Sequence, residues 1–446
     1  MKLRVALQIG TKPVRALMLL HNFPPLEDIA SFRFSRLLRH LPTAGISPFV
    51  VSSALDGAFL QQEVQLSERV RVPVTRVKSW DPIRDYQKRD QRILASSEGC
   101  TPSSTTEARD HPLKRSAKKW VRSLLVPDDK FSYISGWAEA ARSLGEFDVL
   151  YSSSSPYSAH LAARRVVKKT GVPWVLEMRD LWADSPYLAI RSNPLTLWLH
   201  RRWERQCVTD ATRIVVLAPA HARHLSKRYP QFADKIRVVT NAIDVERNGS
   251  SDDPAPVPES GVIRLAHVGN LYGGRSLRTL VAAIDRRNAA SPKVRWHLDI
   301  AGTSMDLPWS EVLGNSAAVT IHGRLSSVQV ADLLATTQAG VVHNPVWDDV
   351  HIPGKLFDYL GAGLPIVNLT SQPDIEEIAG SCVPVVTAHS GEVDAIDRAL
   401  VELAALLERG GGNPERLRTT AVQSRYSSSQ LAADLAEVLR EAATDG

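Results

Sequence analysis

Short apolar runs alternate with helical patterns along most of the chain. "RALMLLHNF" (15–23) reads as a buried strand, and a helix is expected over about 31–41. "SPFVVSS" (47–53) is the next strand. "DVLYSSS" (148–154), helix 156–169, "VPWVLEM" (172–178), helix 195–209, "RIVVLAP" (213–219) and helix 219–228 continue the alternation. A polar stretch rich in Pro, Gly and Ser follows, "ERNGSSDDPAPVPESG" (246–261). The pattern then restarts with "VIRLAHV" (262–268), helix 276–290, "RWHLDIAG" (295–302), "VTIHG" (319–323), "AGVVHN" (339–344) and "LPIVNL" (364–369). Continuous apolar strands alternating with helices predict parallel sheets covered on both faces. The expected α/β architecture is two Rossmann-like domains, 1–245 and 262–427, joined by a linker at 246–261. An amphipathic last helix, within 428–446, is expected to pack across domains. The stretch 96–112 is low in hydrophobes and reads as a mobile insertion.

Composition narrows the class. The chain has 446 residues, 43% hydrophobic and 23% charged, as expected for a multidomain globular protein. A net charge of +6 favours anionic partners without choosing among phosphates, membrane and nucleic acid. Three scattered cysteines, Cys100, Cys207 and Cys382, support neither a zinc site nor a disulfide framework, and suit a reducing cytosol. No run reaches the roughly 18 apolar residues that span a bilayer, and no signal-peptide cleavage region is evident.

In open parallel sheets, ligands bind beyond the carboxyl ends of the strands. Two loops in the second half fit that place. "HVGNLYGGRSLRTLV" (267–281) brings Gly269, Asn270, Gly273 and Gly274 behind a strand, then Arg275 at a helix entry. Glycines let backbone approach an anion, and a cation holds it. The spacing is not the GxGxxG dinucleotide fingerprint, and an ordinary βα turn with a surface arginine is the other reading. "IPGKLFDYLGAGLPIV" (352–367) sets a turn at Pro353 and Gly354, then a helix that buries Leu356, Tyr359 and Leu360. Lys355 and Asp358 share a side of that helix. They form either an exposed ion pair of marginal energy or a ligand-binding pair.

Several stretches resemble a known family. "FDVLYSSSSPYSAHLAARRVVKKTGVPWVLEMRDLWADSP" (147–186) is similar to the N-terminal domain of family-4 retaining glycosyltransferases of GT-B fold. "HVGNLYGGR" and "HGRLSSVQVADLLATTQAGVV" (322–342) resemble their donor domain. "IPGKLFDYLGAGLPIV" resembles a subgroup signature in which Lys precedes an acid by three. The resemblance covers about 15–440. It implies two domains facing each other across a cleft, and sugar transfer from a nucleotide-sugar with retention and no required metal or other cofactor. It assigns Arg275 and Lys355 to the donor diphosphate, Asp358 to ribose, and Gly323-Arg324 to the border of the base. Such a reaction is leaving-group catalysis, with prepositioned cations stabilising the departing diphosphate. The chain departs from the family at several positions. Val350 stands where the first Glu of the paired-glutamate motif would be, with Asp348 and Asp349 out of register. Asn270 replaces an Arg, Arg179-Asp180 replaces a His-Asp pair, and Ala242 replaces a Gly.

Arg179 and Asp180, just after a strand, would either position acceptor or donor sugar or form a buried structural pair. Ser155 and Pro156 read as the cap and first turn of the following helix. "LKRSAKKWVRSLL" (113–125) sets Leu113, Ala117, Trp120, Val121, Leu124 and Leu125 opposite five basic residues. It reads as a helix on an anionic membrane surface or as one packed on the domain with a solvated face. Nucleic acid is not expected, because no stacking-aromatic motif accompanies the charge. The sequence therefore predicts a glycosyltransferase acting on a glycan or lipid-linked acceptor in bacterial cell-surface polysaccharide or glycolipid assembly, in the cytoplasm or at the inner membrane face. A nucleotide-sugar epimerase of the same fold and a non-catalytic sugar-nucleotide-binding scaffold are the competing expectations.

Overall fold

The apolar runs of the sequence become the strands of two sheets, and the polar segments between them become covering helices or loops. The computed structural model describes residues 12–26, 28–54, 61–67, 69–79, 126–185, 188, 192–243, 261–290, 294–305, 307–345, 348, 350–411 and 425–445. The expected insertion at 96–112, the basic segment 113–125 and most of the expected linker lie outside these residues. The chain divides into two compact units. One comprises Met1–Val216 with Leu225–Arg237 and Ala432–Gly446, the other Leu217–His224 with Val238–Leu431.

The first sheet has eight strands: β1 (Val14–Leu19), β2 (Ile46–Ser53), β3 (Gln61–Ser67), β4 (Val70–Val77), β5 (Val149–Ser154), β6 (Trp174–Met178), β7 (Arg213–Val216) and β8 (Ile236–Val238). Their order is β3-β4-β2-β1-β5-β6-β7-β8. β1 pairs in parallel with both β2 and β5, so strand order reverses there. β3 is antiparallel to β4. Helix α1 (Ile29–Leu38) is capped by Asp28, which accepts from Ser31 N at 2.8 Å. Helix α2 (Tyr133–Ser143) buries Tyr133, Ile134, Trp137, Ala138 and Ala141 on one face.

Helix α3 (Ser158–Thr170) corrects one expectation. It starts two residues later than expected, and its end is held by Asp128, not by Ser155. Asp128 accepts from Ser158 N at 2.8 Å and from Ser158 Oγ at 2.6 Å. A carboxylate from a distant segment does the work of a local cap. Helix α4 (Pro194–Asp210) has the more usual local arrangement, with Asn193 capping Thr196 N and Pro at the first turn. Helix α5 (Pro219–Arg228) follows.

The second sheet has six strands: β9 (Val262–Val268), β10 (Arg295–Ala301), β11 (Val319–Gly323), β12 (Ala339–His343), β13 (Ile366–Leu369) and β14 (Val385–Thr387). The order is β11-β10-β9-β12-β13-β14, all in parallel. Its helices are α6 (Arg278–Ala290), α7 (Trp309–Val312), α8 (Ser327–Ala335), α9 (Lys355–Gly361), α10 (Pro373–Gly380) and α11 (Val393–Leu406). Neighbouring residues point to opposite faces. Leu265, Val341 and Val367 join one core with Leu280, Ile284 and Leu400. Ala266, Val342 and Ile366 join a second core with Leu356, Phe357, Tyr359 and Leu360. Both faces are therefore dry, which is why these strands read as unbroken apolar runs.

The last helix, α12 (Ser428–Asp445), begins where Ser428 N donates to Ile243 O at 3.2 Å. From Ala432 onward it groups with the first unit. There Glu441 accepts from Arg213 Nε and Arg237 Nη2, both at 3.0 Å.

Candidate functional site

The reversal of strand order in the second sheet falls between β9 and β12. Those strands pair only at Ala339↔Leu265 and Gly340↔Ala266 and then separate. Tyr359 of α9 fills the fork. Its hydroxyl accepts from Val268 N at 2.9 Å and lies 3.1 Å from Ala266 O and 3.3 Å from Val341 O. Its ring lies against Gly340, where a Cβ would collide with it. Tyr359 thus fixes α9 against the ends of both strands, and with it Lys355 at the first position of that helix.

The loop after β9 passes close to the end of β10. Gly269 has φ +112 and donates to Ala301 O at 2.7 Å. A Cβ on Gly302 would strike the Gly269 carbonyl, so this crossing requires glycine at 302 as well. Asn270 Oδ1 accepts from Thr303 N and Thr303 Oγ1, both at 3.0 Å, which ties the two loops together. Gly273 and Gly274 turn the chain at φ +62 and +80 into Arg275. Gly323, which pairs with Ala301 across a one-residue shift of register, and the exposed Arg324 stand at the end of β11.

Two cations occupy the switch point. Arg275 is 8% exposed and stacks over the Tyr272 ring at 4.4 Å. Its Nη2 reaches Asn344 Oδ1 at 3.4 Å and Asp348 Oδ2 at 3.6 Å. Its Nε is buried and has no hydrogen-bond partner among the described residues. Lys355 Nζ lies 2.8 Å from His267 Nε2. The residue as a whole is only half-buried, but the ammonium end is enclosed. Desolvation, then repulsion from Arg275, pulls its pKa well below the ordinary lysine value, against a smaller opposing pull from Asp358. Burial likewise holds His267 well below the usual histidine range, with Lys355, His343 and Arg275 adding to it. His343 falls to about 4, chiefly through burial.

Around these cations several polar atoms are buried without hydrogen-bond partners among the described residues: Arg275 Nε, His267 Nδ1, His343 Nε2 and Asp348 Oδ2. Asp348 is itself fully buried, and its Oδ1 accepts from His351 Nδ1 at 2.5 Å. Asn344 Nδ2 donates to His351 O at 2.8 Å. Unsatisfied buried polar groups are costly, and several in one place mark a site built for something polar. Asp358 is half-buried one turn along α9 from Lys355.

The structure brings Arg275, Lys355, Gly269 and Asn270 to one place. It adds His267, His343, Asn344, Asp348, His351, Gly302 and Thr303, which sequence reasoning did not select. His267 and His343 carry a legible signal: each is a polar residue at the end of an apolar strand run. Arg179 and Asp180 belong to the first unit, after β6. Arg179 Nε donates to Ser154 O at 2.6 Å and Nη2 to Ser155 O at 3.0 Å. Asp180 is exposed, so the two are not a buried pair. Among the described residues, the fully buried pair of this unit is Arg33–Glu177, at 2.7 Å, with Ser153 Oγ donating to the second carboxylate oxygen at 2.6 Å.

Comparison with known proteins agrees with this architecture. Residues 97–247 match the family model described as Glycosyltransferase Family 4. No curated protein sequence matches the chain. A sucrose-phosphate synthase from Thermosynechococcus elongatus is 12% identical, with a TM-score of 0.64 over 97% of this chain and 100% of its own. A glycosyltransferase from Rickettsia africae is 12% identical, with a TM-score of 0.61 over 98% and 100%. Anabaena HepE in complex with UDP-glucose is 12% identical, with a TM-score of 0.59 over 96% and 99%. The chain has the GT-B fold and contains a segment like Glycosyltransferase Family 4.

Proposed function

We propose that the protein is a retaining glycosyltransferase that moves a sugar from a nucleotide-sugar to a glycan or lipid-linked acceptor. The observation that carries this reading is the pair of cations, the buried Arg275 and the half-buried Lys355 with its enclosed ammonium, at the switch point of the second sheet. Lys355 has a neutral imidazole as its hydrogen-bond partner, and Arg275 keeps a buried Nε–H without an acceptor among the described residues. Two such cations suit a diphosphate, whose leaving-group charge they stabilise as the glycosidic bond breaks. The loop Gly269–Gly274 cradles the phosphates, Asp358 accepts from ribose hydroxyls, and Gly323-Arg324 border the base. Arg179 and Asp180 serve the sugar or acceptor side. The match of 97–247 to a glycosyltransferase family and the UDP-glucose held by a neighbour of the same fold support the donor class.

The acceptor belongs to cell-surface polysaccharide or glycolipid assembly at the cytoplasmic membrane face, a reading that rests on the basic amphipathic sequence 113–125. Among the described residues, no helix is long and apolar enough to cross a membrane. The test is donor turnover by purified protein supplied with nucleotide-sugars. Turnover should fall by about a hundredfold or more in Lys355→Ala, and clearly in Asp358→Asn, with folding intact. Full activity in both variants would remove the assignment.

A further inference from the structure

A charge taken out of water needs a partner, either an opposite charge or a hydrogen-bonding group. Lys355 is steadied by a histidine. Among the described residues no carboxylate lies within ion-pair distance of its ammonium, and His267 Nε2 sits at 2.8 Å. His267 is fully buried at the end of β9, one residue before the strand end that Tyr359 pins. The lysine tip also rests against the loop backbone, because a Cβ on Gly269 would lie 3.6 Å from Lys355 Cε and Nζ. A carboxylate in this place would orient the amine but cancel its charge. A neutral imidazole orients it and leaves the charge available. The groups facing Lys355 are His267 from β9, Arg275 from the loop after β9, His343 from β12 and Asp358 from its own helix. Burial first, then Lys355, His343 and Arg275, oppose a second positive charge on His267 and outweigh a pull from the Val341 backbone that favours it; with its one proton on Nδ1, the neutral ring accepts at Nε2.

We infer that His267 is a positioning residue for Lys355: its imidazole holds the amine beside the Gly269 loop as a neutral acceptor, so that the whole charge of Lys355 meets an incoming phosphoanhydride. The inference rests on the reading of this pocket as a diphosphate site. It has a consequence in pH. Of the groups facing Lys355, Asp358 alone favours the charged amine, and the imidazole acceptor adds a hydrogen bond to that form. Removing the acceptor lets the amine lose its proton at lower pH, so the damage to anion binding grows as pH rises.

Calorimetric titration of the full chain with inorganic pyrophosphate at fixed salt, over about pH 6 to 9, tests this with native protein, Lys355→Met, His267→Leu and His267→Gln. The ligand's own titration is common to all four and cancels in affinity ratios. His267→Leu should bind about tenfold more weakly near neutrality, the size of one hydrogen bond to a charged group, with the deficit widening toward pH 9. His267→Gln retains an acceptor and should stay within about threefold of native at every pH. If His267→Leu does not fold, His267→Asn, whose amide is too short to reach Lys355, replaces it with the same expected deficit. A deficit that is flat with pH and equal in the Gln variant would mean a merely structural histidine and would overturn the inference. Native-like binding by His267→Leu alongside loss in Lys355→Met would overturn it while leaving the diphosphate site standing. Native-like binding by Lys355→Met would overturn both.

Discussion

Each unit buries an arginine near the carboxyl ends of its sheet, and the two are treated in opposite ways. Arg33 is enclosed with Glu177, which also accepts from Ser153 and interacts with Tyr151. Glu177 is held below the ordinary carboxylate range despite full burial, because Arg33 and these hydrogen bonds outweigh desolvation. Arg275 has a carboxylate at 3.6 Å, a long contact to Asn344 and an Nε–H without a partner among the described residues. The first arrangement is closed and can hold structure together. The second has unfilled hydrogen-bonding capacity in a dry place, which an anion would complete. Burial of a charge is therefore not in itself a sign of function. Incomplete compensation is the more telling feature.

The contrast is tested most severely at Arg33. Arg33→Met would leave Glu177 buried without its cation and should cost about 3–5 kcal/mol in urea denaturation. Arg33→Met with Glu177→Met should recover much of that, as expected when a buried pair is replaced by apolar groups. Native-like stability in the single variant would show that the closed network is dispensable.

Acid titration gives the next effect. Burial lowers His343 to about 4, against 6.5 for a free histidine. The unfolded chain then binds a proton before the folded one does. The stability from a neutral His343 is complete above pH 6.5 and is lost as pH falls toward 4. The loss approaches about 3 kcal/mol for this one group. His343→Gln should flatten that part of the stability curve. The first unit behaves alike, since burial lowers His200 to about 4 and His160 to about 3, so both should still contribute in the variant. An unchanged acid limb in His343→Gln would show that this histidine is not the buried neutral group described.

A smaller effect is expected at the fork of the second sheet. Tyr359→Phe keeps the ring against Gly340 but deprives Val268 N–H and Ala266 O of the hydroxyl. It should cost about 1–3 kcal/mol, seen as a lower melting temperature. No loss would mean that the strand ends find other partners.

The central strands were legible because both of their faces are buried, so each appears as an apolar run. β3 was not, because "QQEVQLS" is an edge strand with few apolar positions. Helix α2 carried a readable apolar face, Tyr133, Ile134, Trp137 and Ala141. It also holds Gly136, which packs so close to Val77 that a Cβ would press on it, and an interior glycine obscures a helix. In the candidate site, Lys355 and the Gly269–Arg275 loop showed themselves by turn chemistry beside a charge. Their partners did not. Asp348 meets Arg275 and His351 meets Asp348, contacts that no sequence period announces. Asn270, an apparent ligand residue by position, is occupied in fastening Thr303. Asp128 caps α3 from thirty residues away, a pairing that local capping rules do not register.

A diphosphate site at Arg275 and Lys355 is tested most directly by the melting temperature of native protein and Lys355→Met in the presence of UDP, ADP and GDP. Ligand that binds only the folded state must raise it. At least one of these diphosphates should stabilise the native protein, and the same ligand should have little effect on Lys355→Met. No response of the native protein to any of them, or equal shifts in both proteins, would contradict the site.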